Sequence, residues 1–130
     1  MPTDLHTGSC LCGAVRYEVR GPLRDVLLCH CGMCRKTHGH IGAYSAAPRE
    51  ALSIVEDRGL AWHRSSNVAQ RGFCRECGAT LFWQGDDRPM TSIAAGTLDA
   101  PTGLKTVLQI YVNHAGDYYE IDERIPQRAD

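Results

Sequence analysis

The chain has 130 residues, with 14 basic and 15 acidic side chains and a formal net charge of −1. That size fits one domain over residues 1–130, and the balanced charge leaves no basic stripe for a nucleic acid to follow. No run approaches the ~18 apolar residues of a membrane span, and "MPTDLHTGSC" lacks the charged and apolar stretches of a secretory leader, so the cytoplasm is the expected compartment.

Short β-like stretches follow one another between turn residues. "AVRYEV" (14–19) alternates apolar and polar side chains and meets Gly21-Pro22, and "VLLC" (26–29) is a short apolar run. A helical turn or two fits residues 32–38. "IGAYSA" (41–46) stops at Pro48, and "ALSIVE" (51–56) stops at Asp57-Arg58-Gly59. "LAWHRS" (60–65) and "VAQRGF" (68–73) form a hairpin about Ser66-Asn67, and "TLFWQ" (80–84) and "SIAAG" (92–96) come next. Last, "VLQIYVN" (107–113) is expected to pair with "YYEI" (118–121) across His114-Ala115-Gly116-Asp117. The fold class is mainly β, built of short antiparallel sheets with one short helical turn.

Seven cysteines in a reducing compartment point to metal or thiol chemistry in place of disulfides, and the odd number rules out full pairing within the chain. They group as Cys10-Cys12, Cys29-Cys31-Cys34 and Cys74-Cys77. "SCLCGA" and "FCRECGA" each place a glycine directly after the second cysteine, where a metal knuckle needs a positive φ. Four thiolates about 2.3 Å from one zinc lie under about 4 Å from one another. The two knuckles are therefore expected to face each other and to clasp a loop of roughly sixty residues, stabilising short strands as zinc does in ribbon modules. Four thiolates also suit iron.

Cys29, Cys31 and Cys34 follow C-x-C-x-x-C. Cys29 and Cys31 share a strand face, and the following turn brings Cys34 back to them, so three thiolates cap one ion from a single segment. An ion with three protein ligands keeps a position for substrate and acidifies the water or thiol that enters it. The alternative closes the site with His30, His38 or His40 and makes it structural. Arg35 and Lys36 directly follow the trio, either to meet an anionic, carboxylate-bearing thiol or as two solvated surface cations. Trp62, Phe82, Trp83, Tyr111, Tyr118 and Tyr119 read as core or sheet-surface residues.

In order, "GSCLCGAVRYEV", "CHCGMCRKTHG", "FCRECGATLFW" and "IAAGTLD" are similar to the glutathione-dependent formaldehyde-activating enzyme family, which includes centromere protein V. The resemblance spans about residues 8–122. It implies a β-tent fold with a structural zinc on Cys10, Cys12, Cys74 and Cys77, and a catalytic zinc on Cys29, Cys31 and Cys34. It further implies that a small thiol such as glutathione is joined to formaldehyde, giving S-hydroxymethylglutathione. The leading expectation is a zinc-dependent carbon–sulfur lyase or synthase acting on thiol–aldehyde adducts. A non-catalytic zinc module binding protein or nucleic acid, and a thiol or metal sensor, are the alternatives.

Overall fold

The structure is a computed structural model and describes residues 4–130. Ten strands and one helix follow in chain order: β1 (Leu5–Ser9), β2 (Arg16–Arg20), β3 (Val26–Cys29), α1 (Gly32–His38), β4 (Gly42–Pro48), β5 (Leu52–Glu56), β6 (Leu60–Arg64), β7 (Ala69–Cys74), β8 (Thr80–Gly85), β9 (Met90–Ala94) and β10 (Thr106–Ile110). β1, β2 and β5 form a three-stranded sheet, and the other seven form a second sheet in the order β10-β3-β4-β9-β8-β7-β6. The mainly β expectation holds, with one departure: β10 runs parallel to β3, while every other named pair is antiparallel.

Side-chain alternation sends neighbouring residues of the large sheet to opposite faces. Phe82 and Ile93 join Tyr17, Val19 and Ala47 in the core between the two sheets, and a register shift opposite Gly72 and Phe73 brings Leu81 into the same core. The Tyr17 and Phe82 rings meet edge to face, with centroids 5.2 Å apart, and fully burying side chains of this size stabilises by about 1.5–3 kcal/mol each. Their chain neighbours Trp83 and Ala94 pack on the other face with Cys29, Cys34 and Tyr44. The cysteine trio is therefore carried on the face turned away from the main core.

The hairpin about Ser66-Asn67 is present as β6 and β7, and α1 covers the expected residues. Cys31 caps α1, its Sγ accepting the Cys34 N–H at 3.3 Å. Gly39, at φ 77°, ends it by donating its N–H to the Arg35 carbonyl. The expected pairing of 107–113 with 118–121 is not formed. Tyr111 has a left-handed φ of 56°, a turn over Val112–His114 follows, and the segment swings round the outer edge of β10. There the Gln109 N–H donates to Pro126 O and the Arg128 N–H to Gln109 O, both at 2.8 Å. The tail thus satisfies an edge that would otherwise expose unpaired backbone groups. β1 was not anticipated: "LHTGS" holds a single large apolar residue, so it carries no strand pattern. No helix among the described residues is long and apolar enough to cross a membrane.

Candidate functional site

Two cysteine clusters form, and all seven cysteines are free thiols. In the first, the turn after β1 meets the turn between β7 and β8. The sulfurs of Cys10, Cys12, Cys74 and Cys77 lie within 4.8 Å of one another, with Cys10–Cys12 and Cys12–Cys74 each at 3.8 Å. A tetrahedron with metal–sulfur bonds of about 2.3 Å has edges of about 3.8 Å, so this donor set fits a zinc ion. Gly13 and Gly78 adopt φ 83° and 81°, as expected for the knuckles. Backbone N–H groups face the sulfurs: Val15 donates to Cys10 Sγ at 3.2 Å. The N–H of Ala79, then that of Cys12, hold the Cys77 thiol down to about 6.

The second cluster joins the end of β3, the cap of α1 and its first turn. Sγ atoms of Cys29, Cys31 and Cys34 lie within 4.8 Å of one another, with Cys29 and Cys34 buried. The three also fit one ion, and no histidine, aspartate or glutamate among the described residues joins them. Within the trio, Cys34 is the member favoured as thiolate. The Cys29 thiol, followed by His38 and Arg71, outweighs burial and holds Cys34 down to about 4. The same Cys34 contact and burial push Cys29 up.

The three nearby histidines each bond a tyrosine hydroxyl, and His38 also lies against Cys34. His30 is 1% exposed, and both its nitrogens are used, Nδ1 with Tyr119 Oη at 2.6 Å and Nε2 with Gln109 Oε1 at 2.9 Å. His38 Nε2 meets Tyr44 Oη at 2.7 Å, and His40 Nδ1 meets Tyr118 Oη at 2.7 Å. Tyr118 and Tyr119 therefore serve as clamps on histidines around the cysteine loop, in place of the sheet-surface role read for them.

The trio opens on a groove of ≈ 1800 Å³ whose walls include Leu27, Tyr44, Trp83 and Ile110. Arg35 and Lys36 also line it. Arg35 is tied down, its Nη1 donating to the His114 carbonyl at 2.8 Å, whereas Lys36 is exposed. Sequence reasoning missed Arg71 on β7, which is 5% exposed. Its Nη1 donates to Tyr44 Oη at 3.2 Å and its Nη2 to Cys34 Sγ at 3.7 Å. The signal was there to find: in "AQRGF" the alternation places Arg71 in phase with buried Ala69. Trp83, read as a core or sheet-surface residue, lines this groove as well.

The sequence profile of the glutathione-dependent formaldehyde-activating enzyme family matches residues 5–114. The chain is 32% identical over 79 residues to an uncharacterised lyase of Schizosaccharomyces pombe, a match covering 60% of this chain and 56% of that one. It is 28% identical over 142 residues to a Halomonas elongata protein named as a candidate glutathione-dependent formaldehyde-activating enzyme, covering 94% of this chain and 84% of that one. A crystal structure of a Rhodobacter sphaeroides protein superposes with a TM-score of 0.61 at 28% identity, over 77% of this chain and 97% of the other.

Proposed function

The chain belongs to the glutathione-dependent formaldehyde-activating enzyme family, and from that premise we propose a zinc-dependent carbon–sulfur lyase or synthase for adducts of a small thiol with an aldehyde. The reading takes residues 1–130 as one functional domain acting in the cytoplasm. Cys10, Cys12, Cys74 and Cys77 would hold a structural zinc. Cys29, Cys31 and Cys34 would hold the catalytic one. A zinc bound there supplies thiol acidification, keeping an incoming sulfur as thiolate near neutral pH, where a free thiol of pKa ~8.5 stays protonated.

The chain's own residues bind, orient and shield. In the synthetic direction the thiol sulfur bonds to the carbonyl carbon and the thiol proton ends on the carbonyl oxygen, so RSH and CH₂O give RSCH₂OH. Trp83, Leu27 and Ile110 wall the groove with apolar surface, which keeps water from competing with the small aldehyde. Arg35 and Lys36, directly after Cys34, would orient a carboxylate-bearing thiol. Tying Arg35 to the His114 carbonyl lowers the entropy lost when it grips a substrate.

One observation carries the reading: the trio lies on the groove, and among the described residues no histidine, aspartate or glutamate joins it as a fourth ligand, while the four-cysteine set is complete elsewhere. The test is exchange spectroscopy by NMR on mixtures of glutathione and formaldehyde. Zinc-loaded protein is expected to accelerate interconversion of free thiol and S-hydroxymethyl adduct, and the Cys29→Ser protein is expected not to. No acceleration by the zinc-loaded wild type would remove the activity and leave a binding module of the same fold.

A further inference from the structure

Arg71 is a buried cation that forms no ion pair with a carboxylate among the described residues. Its two recorded hydrogen bonds go to Tyr44 Oη and Cys34 Sγ. Its Nε–H is buried without an acceptor among the described residues. The ion pairs among those residues join Arg58 to Glu76, Arg64 to Asp86 and Arg124 to Asp122, all at exposed positions. A guanidinium 95% removed from solvent is costly unless charge of opposite sign lies against it. The negative charge nearest to it is the sulfur trio.

The partners also fix the orientation of the fork. Arg71 donates to Tyr44 Oη, which leaves that hydroxyl's own proton free for another acceptor, and His38 Nε2 lies 2.7 Å from the same oxygen. Burial, against the pull of Arg71, pushes the Tyr44 phenol up, so the proton stays in place. Arg71, Tyr44 and His38 thus form a braced line along one side of Cys34.

We infer that Arg71 is the positioning residue that lets the trio's metal accept an anionic sulfur as its fourth donor. This rests on the thiol–aldehyde reading above and adds the residue that selects the ligand's charge. Three thiolates and one divalent ion leave a single net negative charge on a half-enclosed centre. A fourth thiolate doubles it, and a neutral donor does not. The guanidinium cancels one unit, so it favours an incoming thiolate over a neutral ligand by acting through Cys34. Lysine keeps the charge but loses the planar fork that reaches both Tyr44 and Cys34; glutamine loses the charge.

Cobalt-loaded protein provides the test, because cobalt–thiolate absorption reports each added sulfur without any turnover. The wild type, Arg71→Gln and Arg71→Lys are titrated at fixed pH with 2-mercaptoethanol, a thiol with no carboxylate, and with imidazole, a neutral donor. A close charge moves an ionisation equilibrium by roughly one to three powers of ten. Arg71→Gln is therefore expected to raise the mercaptoethanol Kd about tenfold or more, with the imidazole Kd unchanged and Arg71→Lys recovering most of the loss.

Equal weakening of both ligands, or no weakening of either, would overturn the inference while the thiol–aldehyde reading stands. If wild-type cobalt protein shows no added sulfur at all, that reading falls and takes the inference with it. Should Arg71→Gln shed the trio's cobalt, Arg71→Lys decides. Thiol binding near the wild-type value supports the charge role, and a loss shared equally with imidazole refutes it.

Discussion

Gly78 offers a clean way to separate backbone strain from packing in the four-cysteine clasp. It follows Cys77 at φ 81° and donates its N–H to the Cys74 carbonyl at 2.7 Å. A Cβ built there meets nothing within 4 Å, so Gly78→Ala adds no clash and its whole cost is the left-handed conformation. For an L-residue that cost is about 1–2 kcal/mol. In a chain of this length it corresponds to a fall in Tm of roughly 4–8 °C. If zinc binds only the formed knuckle, the same strain appears as about 5- to 30-fold weaker zinc binding at this cluster, with the trio unchanged. Asparagine tolerates left-handed backbone, so Gly78→Asn is expected to lose less than half as much. Thermal melts of zinc-loaded protein and competition with a chromophoric chelator measure both quantities. A Gly78→Ala Tm equal to wild type, or an asparagine variant as damaged as the alanine one, would refute the reasoning.

Cys29→Ser should lower bound zinc from two ions per chain to one, as counted by elemental analysis, with little change in Tm because the clasp is untouched; two retained ions would argue against the trio. Tyr119→Phe strips His30 Nδ1 of its 2.6 Å partner, and a buried polar atom so orphaned costs about 1–3 kcal/mol. Denaturant titration should show that loss, and metal should leave the trio sooner than the four-cysteine cluster. Burial, against its bond to Thr97, pushes the Tyr17 phenol from 10.0 to about 12. A group raised on folding contributes stability that is complete below its unfolded value, so the protein should hold steady up to pH 10 and weaken as pH climbs towards 12. Tyr17→Phe should flatten that alkaline slope in Tm measured against pH.

Which parts of the molecule were legible follows from the range of the forces involved. Helix α1 at 32–38 and the β6–β7 hairpin were readable because caps, turns and alternation act over a few residues. The fold edges were harder. β1 pairs with β2 through backbone hydrogen bonds, to which its polar side chains give no clue. The tyrosines at 118 and 119 looked like a returning strand, yet the left-handed Tyr111 breaks the chain direction and delivers them to His40 and His30.

The sequence by itself determined the two sulfur sets and the positive-φ glycines of the knuckles, since ligand convergence within a short turn depends only on local spacing and backbone sterics. Tertiary structure alone decided that β10 lies parallel to β3, that Tyr119 and Tyr118 hold His30 and His40 beside the trio, and that Arg71 from β7 ends against Cys34. Those outcomes join residues 37 to 89 positions apart. Such contacts are selected by which faces bury together and which charges must be matched there, and neither quantity exists until the sheets have closed on each other.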